Sequence, residues 1–443
     1  MRLVFNNFQS LMSTLSDVTV VSDDSYNDDS LKSIIFKIAK AEDGQSDRVS
    51  VLGVNALITM DKSIEPSEFD CTCDVSEMNE QKLFIFQISS KNLMAFLNAY
   101  KSSRRTTVKS ITFENEGGKI SCTIVEIDKV TNTSSEKRVP ADDDNGFMFE
   151  DDEPAQPSAT EGSGKEYVSR RMFPIIPIKK AYYDNLINIK VDEVEFKSLS
   201  VEAMKLITTT TLSFLSNDTS PYSYVSFDES YAVAAHSAFV CCIENALKDD
   251  GIFVNVRLAY KVMNFIDKVI IPNGECTVGK GANRIFFKTD KIEASCVFDD
   301  KLLKYKPVLE HFNRENAISF DRLYFKDNLK RLELSTDTDL FTIDISNQLL
   351  KASNSDFSTE LPITNIKNMA GLDGYKFKLM PVALDKAIIG SDEMFVRDLG
   401  NGVENRDIFM YVCHDVNNPK NSVIGLSDGT GMWFTILRVA IMQ

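Results

Sequence analysis

The chain has 443 residues and a formal net charge of −16 at pH 7. A chain of this length is expected to form about three domains. No run of residues approaches the ~20 apolar residues of a membrane span, and Met1–Asn7 lacks the apolar core of a signal peptide. We therefore expect a cytoplasmic protein, and the eight cysteines, which show no framework spacing, agree with a reducing compartment.

Three pairs of amphipathic helices are predicted from apolar residues at steps of three and four. The first helices of the pairs are expected near Phe8–Leu15, Val201–Leu215 and Phe325–Leu332, and the second helices near Leu93–Tyr100, Leu258–Phe265 and Pro381–Gly390. Between the second and third pairs both helices shift by roughly 120 residues, which indicates an internal repeat. A repeated fold usually builds one extended surface rather than one catalytic pocket.

Strands are predicted between the helices, where apolar residues alternate or form short runs. The runs are Ser33–Ile38, Val51–Val54, Phe84–Phe86, Phe253–Val256, Arg284–Phe287, Leu340–Ile343 and Trp433–Met442. Turn residues such as Glu116–Gly118, Pro272–Gly274 and Asp428–Gly429 punctuate them. The sequence therefore predicts an α+β protein in which long antiparallel sheets carry a few helices on one side.

Positive charge is concentrated on three predicted helices of this acidic chain. Residues 91–105, 256–268 and 320–331 together carry a net charge of +8, so the rest of the chain carries −24. For a single helix, an ordinary solvated face would explain such charges. Three basic helices at matching places predict a surface that contacts phosphates while the remaining surface repels DNA, so binding would be sequence-independent, salt-sensitive and mobile.

The predicted DNA contacts follow from this helical spacing. Arg322, Lys326 and Lys330 recur every four residues, which aligns them on one helix face. A similar alignment is expected for the basic residues of 256–268. The full predicted set is Lys91, Lys101, Arg104, Arg105, Lys205, Arg257, Lys261, Lys268, Arg322, Lys326, Lys330 and Arg331.

A family resemblance rests on the order of several segments. Ala235–Val240, the helix near Arg257, the hairpin Ile285–Phe287 and then Leu302–Leu309 resemble the middle domain of the bacterial beta sliding clamp. The tail Leu437–Gln443 resembles the short apolar tail of that family. The resemblance covers nearly the whole chain as a pattern. Low identity and the acidic insertion described below make the chain more similar to a bacteriophage-encoded member than to a chromosomal one.

The resemblance implies three tandem DNA-clamp domains, with antiparallel sheets outside and two helices per domain lining an inner surface. The expected boundaries are 1–131 for the first domain, 132–166 for a linker, 167–308 for the second domain and 309–443 for the third. Two chains would close head to tail into a ring around duplex DNA. Such a ring tethers the replicative polymerase and catalyses no reaction, and the polymerase and clamp loader bind it through a short apolar peptide.

The resemblance also implies a pocket for a short apolar partner peptide between the second and third domains. The matching positions are His236, Ala238, Leu303, Tyr305, Val308, Leu437, Val439 and Ile441. For each residue alone, core or interdomain packing is an equally good interpretation. This chain lacks the leucine that the family usually has near Ala238 and the basic residue near Pro307, so its peptide preference is expected to differ.

No catalytic residue, metal ligand or cofactor is predicted. Gly425, Ser427 and Gly429 match the spacing of a nucleophile elbow, but no histidine follows them and the next segment resembles a strand, which favours a hairpin turn. Cys71 and Cys73 form a close pair without a second pair or a nearby histidine, which is too few ligands for zinc.

Two other interpretations of the basic helices remain open. The chain could be a β-rich adaptor or scaffold that does not encircle DNA, in which case the basic faces are merely solvated. It could also be a clamp-like protein that only sequesters polymerase partners. Binding to duplex DNA that depends on topological closure distinguishes the clamp from both.

The acidic segment 132–166 lacks the composition to bury a core, and we expect a disordered loop or linker. Phe147–Phe149, flanked by acidic residues, could imitate a partner peptide and occupy the chain's own pocket. Deletion of 140–160 is then expected to raise the affinity for a clamp-binding peptide. Fluorescence anisotropy measures this affinity, and an unchanged value would contradict the hypothesis.

Overall fold

A computed structural model describes much of the chain. The described residues are 1–22, 32–40, 47–103, 105–128, 165–178, 194–215, 223–236, 239–310, 318–321, 327, 341–344, 349–353, 358–362, 376–379, 407–413, 422–429, 431, 433–438 and 440–442. They divide into two compact units, of which the first comprises 1–52 and 62–180 and the second comprises 53–61 and 181–443. Each unit is α+β, as predicted.

The first unit is built from two sheets and a pair of helices. Its elements are β1 (Arg2–Phe5), α1 (Phe8–Val21), β2 (Ser33–Ala39), β3 (Arg48–Val54), β4 (Ile58–Ile64, whose first residues group with the second unit), β5 (Phe69–Thr72), β6 (Leu83–Ser89), α2 (Ser90–Asn98), β7 (Thr106–Glu116), β8 (Lys119–Asp128) and β9 (Glu166–Pro174). One sheet has the order β5-β1-β7-β8-β9, and β3, β2 and β6 are neighbours in another. All pairings given for these strands are antiparallel, as the sequence predicts.

The helices of the first unit begin where polar side chains cap them. The Asn7 side chain accepts a hydrogen bond from the Ser10 N–H at the start of α1, and the Ser89 hydroxyl accepts one from the Asn92 N–H at the start of α2. Such caps satisfy backbone donors that have no partner within the helix. The apolar stripe of α1 packs on β2 and β7, and that of α2 packs on β2 and β6.

Aromatic rings fill the core of the first unit. Phe113 lies against Phe5, Phe36 and Phe86, and Phe36 stacks on Phe86 with their centroids 4.8 Å apart. These rings come from four strands of both sheets, so the core fixes the sheets against each other.

The β8–β9 pairing places the acidic segment inside the first unit. Residues 166–174 pair antiparallel with 119–127, and the unit extends to residue 180. The segment 129–164 therefore connects two neighbouring strands of one sheet. The boundary predicted at residue 167 falls inside the strand β9, because an acidic insertion between paired strands has the same composition as an interdomain linker.

The second unit begins with a strand, a helix and an antiparallel meander. Its first elements are β10 (Lys197–Ser198), α3 (Val201–Leu212), β11 (Tyr224–Phe227), β12 (Tyr231–His236), β13 (Phe239–Glu244), β14 (Val256–Ala259), α4 (Tyr260–Phe265), β15 (Thr277–Lys280), β16 (Arg284–Lys288), β17 (Ile292–Val297) and α5 (Lys306–Leu309). The helix α4 continues as a π-helical segment, Ile266–Ile270, and a 3-10 turn, Ile271–Asn273. The helices α3 and α4 pack on each other and on β11 to β14.

The remaining strands of the second unit complete two sheets. They are β18 (Ile318–Asp321), β19 (Phe341–Asp344), β20 (Leu349–Ser353), β21 (Ser358–Pro362), β22 (Lys376–Leu379), β23 (Asp407–Cys413), β24 (Val423–Ser427), β25 (Trp433–Arg438) and β26 (Ala440–Met442). One sheet has the order β14-β11-β12-β13-β25-β24-β23-β18, and another has the order β21-β20-β19-β22-β26. The pairing of β13 with β25 thus joins the predicted second and third domains into one eight-stranded sheet.

The structure confirms the first two predicted helix pairs. The third pair, near Phe325–Leu332 and Pro381–Gly390, lies outside the described residues except for Asp327. The strand predicted at Phe253–Val256 begins only at Val256, because Asn255 adopts a left-handed conformation with φ of 54°. Among the described residues, no helix is long and apolar enough to cross a membrane.

Candidate nucleic-acid interface and partner surfaces

The predicted DNA contacts that the structure describes lie mostly on exposed helix surfaces. Lys91 is in the first turn of α2, Lys101 follows that helix, and Arg105 precedes β7, all three exposed. In the second unit, Lys205 is exposed on α3, and Lys268 is exposed on the π-helical segment. Lys261, on α4, is half-buried, whereas Arg104, Arg322, Lys326, Lys330 and Arg331 lie outside the described residues.

Arg257 differs from the prediction because it belongs to a strand rather than a helix. Its guanidinium forms an ion pair with Asp299, at 2.5 Å, and lies 4.3 Å from the centroid of the Tyr224 ring. The backbone groups of Arg257 and Asp299 also bond to each other in both directions. Burial opposes ionisation of Asp299, but the Lys301 backbone N–H and the Arg257 guanidinium together hold the pKa of Asp299 below its usual range. Arg257 therefore fastens β14 to the segment that follows β17.

The helices α3 and α4 cover one face of the eight-stranded sheet of the second unit, and the strand register shows which side chains point to that face. Phe239 and Leu437 are paired residues of β13 and β25, and the ring of Phe239 meets that of Phe214, just after α3, at a centroid distance of 5.0 Å. Because side chains alternate along a strand, Val240 and Ile436 point to the other face. The sheet register therefore decides, for each side chain of these strands, which of the two faces it occupies.

A short segment covers the face opposite the helices, and we call residues 302–310 the strap. Tyr305 of the strap is only 4% exposed and packs in a cluster of buried residues. The sheet residues of this cluster are Val233, Cys242, Tyr411, Phe434 and Ile436. Leu303, Val308 and Leu309 of the strap pack around its edge and are half-buried. The strap thus packs on an apolar surface of the sheet, with Tyr305 buried and its neighbours partly exposed.

A hydrogen bond anchors the strap to the turn between β11 and β12. The Tyr305 hydroxyl donates to Asp228 Oδ2 at 2.7 Å, and the Tyr305 ring meets Tyr231 edge-on at 6.0 Å. Backbone N–H groups of Ser230 and Tyr231 donate to Asp228 Oδ1 at 2.7 and 2.8 Å, and Lys306 Nζ lies 3.4 Å from Oδ2. Burial opposes ionisation of Asp228, but these donors and the Lys306 charge hold its pKa below the usual range. Burial, and then Asp228, raise the pKa of Tyr305, so its hydroxyl remains a donor.

A small cavity opens beside the strap on the same face. Its volume is about 50 Å³, and it is lined by Tyr231, Leu309, Tyr411, Ser427, Gly429, Gly431 and Phe434. The polar groups at its wall bond within the protein: the Tyr231 hydroxyl donates to the Gly431 carbonyl, and the Gly429 N–H donates to the Ser427 hydroxyl. The remaining wall is mainly aromatic, so the cavity suits an apolar group.

The structure divides the residues predicted to form the peptide pocket. Leu303 and Val308 lie at the edge of the covered face, with Tyr305 beneath them as an anchor. Leu437 is fully buried on the helix-covered face, so it belongs to the core, as the alternative interpretation allowed. The backbone of His236 ends β12 and that of Ile441 lies in β26, whereas Ala238 and Val439 lie outside the described residues.

Sequence reasoning missed Asp228, Tyr231, Tyr411, Phe434 and Ile436. Only one signal for them is present in the sequence: an acidic turn residue, Asp228, precedes a strand that begins with an aromatic residue. The other three residues are far from the strap along the chain, and only the sheet register brings them to it.

In the first unit, the edge strand β9 exposes apolar side chains. Tyr167, Val168 and Met172 are 40%, 66% and 41% exposed, which is unusual for large apolar residues on a strand. Among the described strands, β9 ends its sheet, so one side of its backbone has no neighbouring strand. An exposed apolar edge of this length favours pairing with another strand.

The residues with enzyme-like spacing lie in a hairpin, and the close cysteine pair lies at the end of β5. Ser427 ends β24 and is 2% exposed, and the chain returns through Gly429 into β25, which confirms the hairpin. Burial, and then Cys73, raise the pKa of Cys71 to about 11, so the thiol stays protonated at neutral pH. Within the described residues, no three His, Cys, Asp or Glu side chains are grouped to hold a metal ion.

Solved structures similar to this chain are the beta subunits, or sliding clamps, of bacterial DNA polymerase III. The chain therefore has the three-domain α+β fold of these clamps, which confirms the predicted fold class. The beta subunit from Thermotoga maritima matches with a TM-score of 0.65 and 11% identity, covering 100% of both chains. The clamp from Bacillus subtilis matches with a TM-score of 0.65 and 8% identity over 100% of both chains, and that from Pseudomonas aeruginosa with 0.63 and 12% over 99% of both. No protein-family model and no curated protein sequence matches the chain.

Replacement of Tyr305 by Phe is expected to destabilise the second unit by roughly 1.5–3 kcal/mol, because a hydrogen bond to a carboxylate is lost. Replacement of Tyr231 by Phe is the matched control and removes a bond to a backbone carbonyl, at a cost of about 0.5–1.5 kcal/mol. The chain has one tryptophan, and Trp433 is fully buried in the same sheet, so its fluorescence during urea denaturation reports on this unit. Equal losses in the two variants would show that the Asp228 bond is no stronger than the control bond.

Proposed function

We propose that this protein is a DNA sliding clamp, a non-catalytic ring that encircles duplex DNA without sequence specificity and tethers the replicative polymerase. The observation that carries the proposal is the match of the whole chain to bacterial sliding clamps, with TM-scores of 0.65 over 100% of both chains for two of them. Identities of 8 and 11% to those two proteins leave the function to be argued from the surfaces of this chain.

The charge distribution supports the DNA-binding part of the proposal. Lys91 and Lys101 in the first unit, and Lys205 and Lys268 in the second, are exposed on or beside helices. The whole chain has a net charge of −16, so a basic helix surface would attract phosphates while the remaining surface repels them. Such contacts read no bases, which is the property that a clamp moving along DNA requires.

Two free strand edges support assembly into a ring of two chains. In the first unit, β9 ends its sheet, and in the second unit β21 ends another, among the described strands. Pairing of β9 of one chain with β21 of a second chain would be heterologous, and head-to-tail contacts of this kind form a ring when the rotation closes. The exposed apolar residues of β9 would then be buried.

The strap face of the second unit supports the partner-binding part of the proposal. Leu303 and Val308 flank an apolar surface, and the adjoining cavity of about 50 Å³ has room for an apolar group of a partner peptide. We propose that the polymerase and the clamp loader bind here through a short apolar segment. The low identity to chromosomal clamps and the acidic insertion favour a bacteriophage-encoded protein that acts in the host cytoplasm.

Retention on DNA with blocked ends tests the proposal without a loader. The protein is mixed with a linear duplex that carries biotin at both ends, either before or after streptavidin is added, and is separated by gel filtration at moderate salt. We expect retention only when the protein is added first, and release after a restriction nuclease cuts the duplex. Equal behaviour in both orders would support an adaptor that does not encircle DNA.

In the same assay, Lys91→Glu and Lys205→Glu are expected to weaken binding and to lower the salt slope by about one per lost phosphate contact. Lys119→Glu, on the exposed start of β8, is the matched control and is expected to behave like the wild type. A loss in the control equal to that in the helix variants would contradict the assignment of the helices.

Light scattering across a dilution series tests the ring. We expect a stable particle of twice the 49.8 kDa chain mass for the wild type and a folded monomer for Val168→Glu, because a charge cannot be buried at a paired β9 edge. Gln81→Glu, in an exposed turn of the same unit, adds the same charge and is expected to remain a dimer. A dimeric Val168→Glu variant would exclude β9 as the contact.

A further inference from the structure

The second helix of the basic pair in the second unit is not a regular α-helix. The helix α4 ends at Phe265, and Ile266–Ile270 continues it with wider π-helical turns. Ile266, Val269 and Ile270 are buried, which fixes the segment to the protein core. Wide turns of this kind often mark functional positions, because they shift the side chains that follow relative to the preceding helix.

Asp267 in this segment bridges the two helices of the pair. The Thr208 hydroxyl of α3 lies 3.2 Å from Asp267 Oδ1 and shares its single proton between this oxygen and the Lys205 carbonyl, which is 3.0 Å away. Asp267 Oδ2 lies 3.0 Å from Lys268 Nζ. The Asp267 side chain is 19% exposed, whereas that of Lys268 is 63% exposed. The carboxylate is thus held from one side by a helix neighbour and faces an exposed ammonium group on the other.

This geometry gives Lys268 a negative neighbour that a DNA phosphate must compete with. A fixed carboxylate beside an exposed ammonium lowers the positive potential there and occupies one of its three donors. A phosphate that approaches Lys268 must also approach Asp267, and like charges repel. Each contact of this kind is weaker than that of an isolated lysine.

We propose that Asp267 is a positioning residue that holds Lys268 in place and weakens its attraction for phosphate, so that the protein grips duplex DNA loosely enough to move along it. This inference rests on the proposed function as a DNA clamp. It adds that an acidic residue inside the basic helix pair limits the affinity. The direct test is Asp267→Asn, because asparagine has nearly the same shape as aspartate but no charge. Its amide oxygen can still accept the Thr208 hydrogen bond.

The experiment measures fluorescence anisotropy of a labelled 30-base-pair duplex with the full chain over a range of KCl concentrations. At low salt, Asp267→Asn is expected to bind about threefold to tenfold more tightly than the wild type, and with a steeper salt slope. Asp267→Glu, which keeps the charge, is expected to restore the wild-type slope. Glu275→Gln removes the same charge at an exposed position beyond the helix and is expected to change the affinity little.

A double-mutant cycle with Lys268→Gln separates an effect through Lys268 from a general change in charge. If Asp267 acts through Lys268, the gain from Asp267→Asn falls close to zero in the Lys268→Gln background. An equal gain in both backgrounds, or no gain in either, overturns the inference. A wild-type chain that is not retained on the end-blocked duplex overturns the clamp proposal itself, whereas wild-type retention with an unchanged Asp267→Asn variant overturns only the role of Asp267.

Discussion

The pairing of β13 with β25 is the interaction on which the arrangement of the second unit depends. Five residue pairs, from Phe239 with Leu437 to Ile243 with Trp433, join a strand early in the unit to one near the end of the chain. Antiparallel pairing fixes the face of every side chain along both strands, because a shift of one residue would exchange the two faces. Phe239, Cys241 and Trp433 thereby face the helices, while Ile436 faces the strap.

The strap depends on this register in turn. Tyr305 enters a cluster whose sheet residues come from β12, β13, β23 and β25, and it reaches Asp228 at the turn before β12. A side chain that is both packed and hydrogen-bonded to a carboxylate has little freedom to move. The half-buried Leu303 and Val308 precede and follow Tyr305 in the chain, so the fixed Tyr305 side chain restricts their positions. A groove for a partner peptide gains affinity from such preorganisation, because fewer groups must be ordered on binding.

Positive and negative charges lie in different parts of this chain. Exposed lysines accompany the helices of both units, and the acidic insertion 129–164 connects two strands of the first unit. Arg257 and Lys268, two described residues of the basic set, lie in ion pairs with opposite consequences. The pair of Arg257 with Asp299 is partly buried and joins segments of the core, whereas the pair of Lys268 with Asp267 is exposed at the lysine end. Only the second pair leaves its cation accessible to a phosphate.

The sequence by itself determined the α+β class, the first two helix pairs and the hairpin at Asp428, because hydrophobic periodicity and turn residues are local properties. The sequence also marks Leu303, Tyr305 and Val308 as candidate binding residues, but the sheet surface that they cover is formed from distant strands. The prediction that Arg257 lies on a helix was wrong. Arg257 and Lys261 are four residues apart, which fits one helix, but a strand ends and the helix begins between them.

Only the tertiary structure decided which strands are neighbours and which face each residue occupies. Leu437 and Ile436 are adjacent and equally apolar, yet one enters the core and the other the strap cluster. The acidic insertion has the composition of a linker, and only the pairing of β8 with β9 places it inside the first unit. The physical reason is the same in both cases: strand pairing joins residues that are far apart along the chain, and no local pattern encodes the register between them.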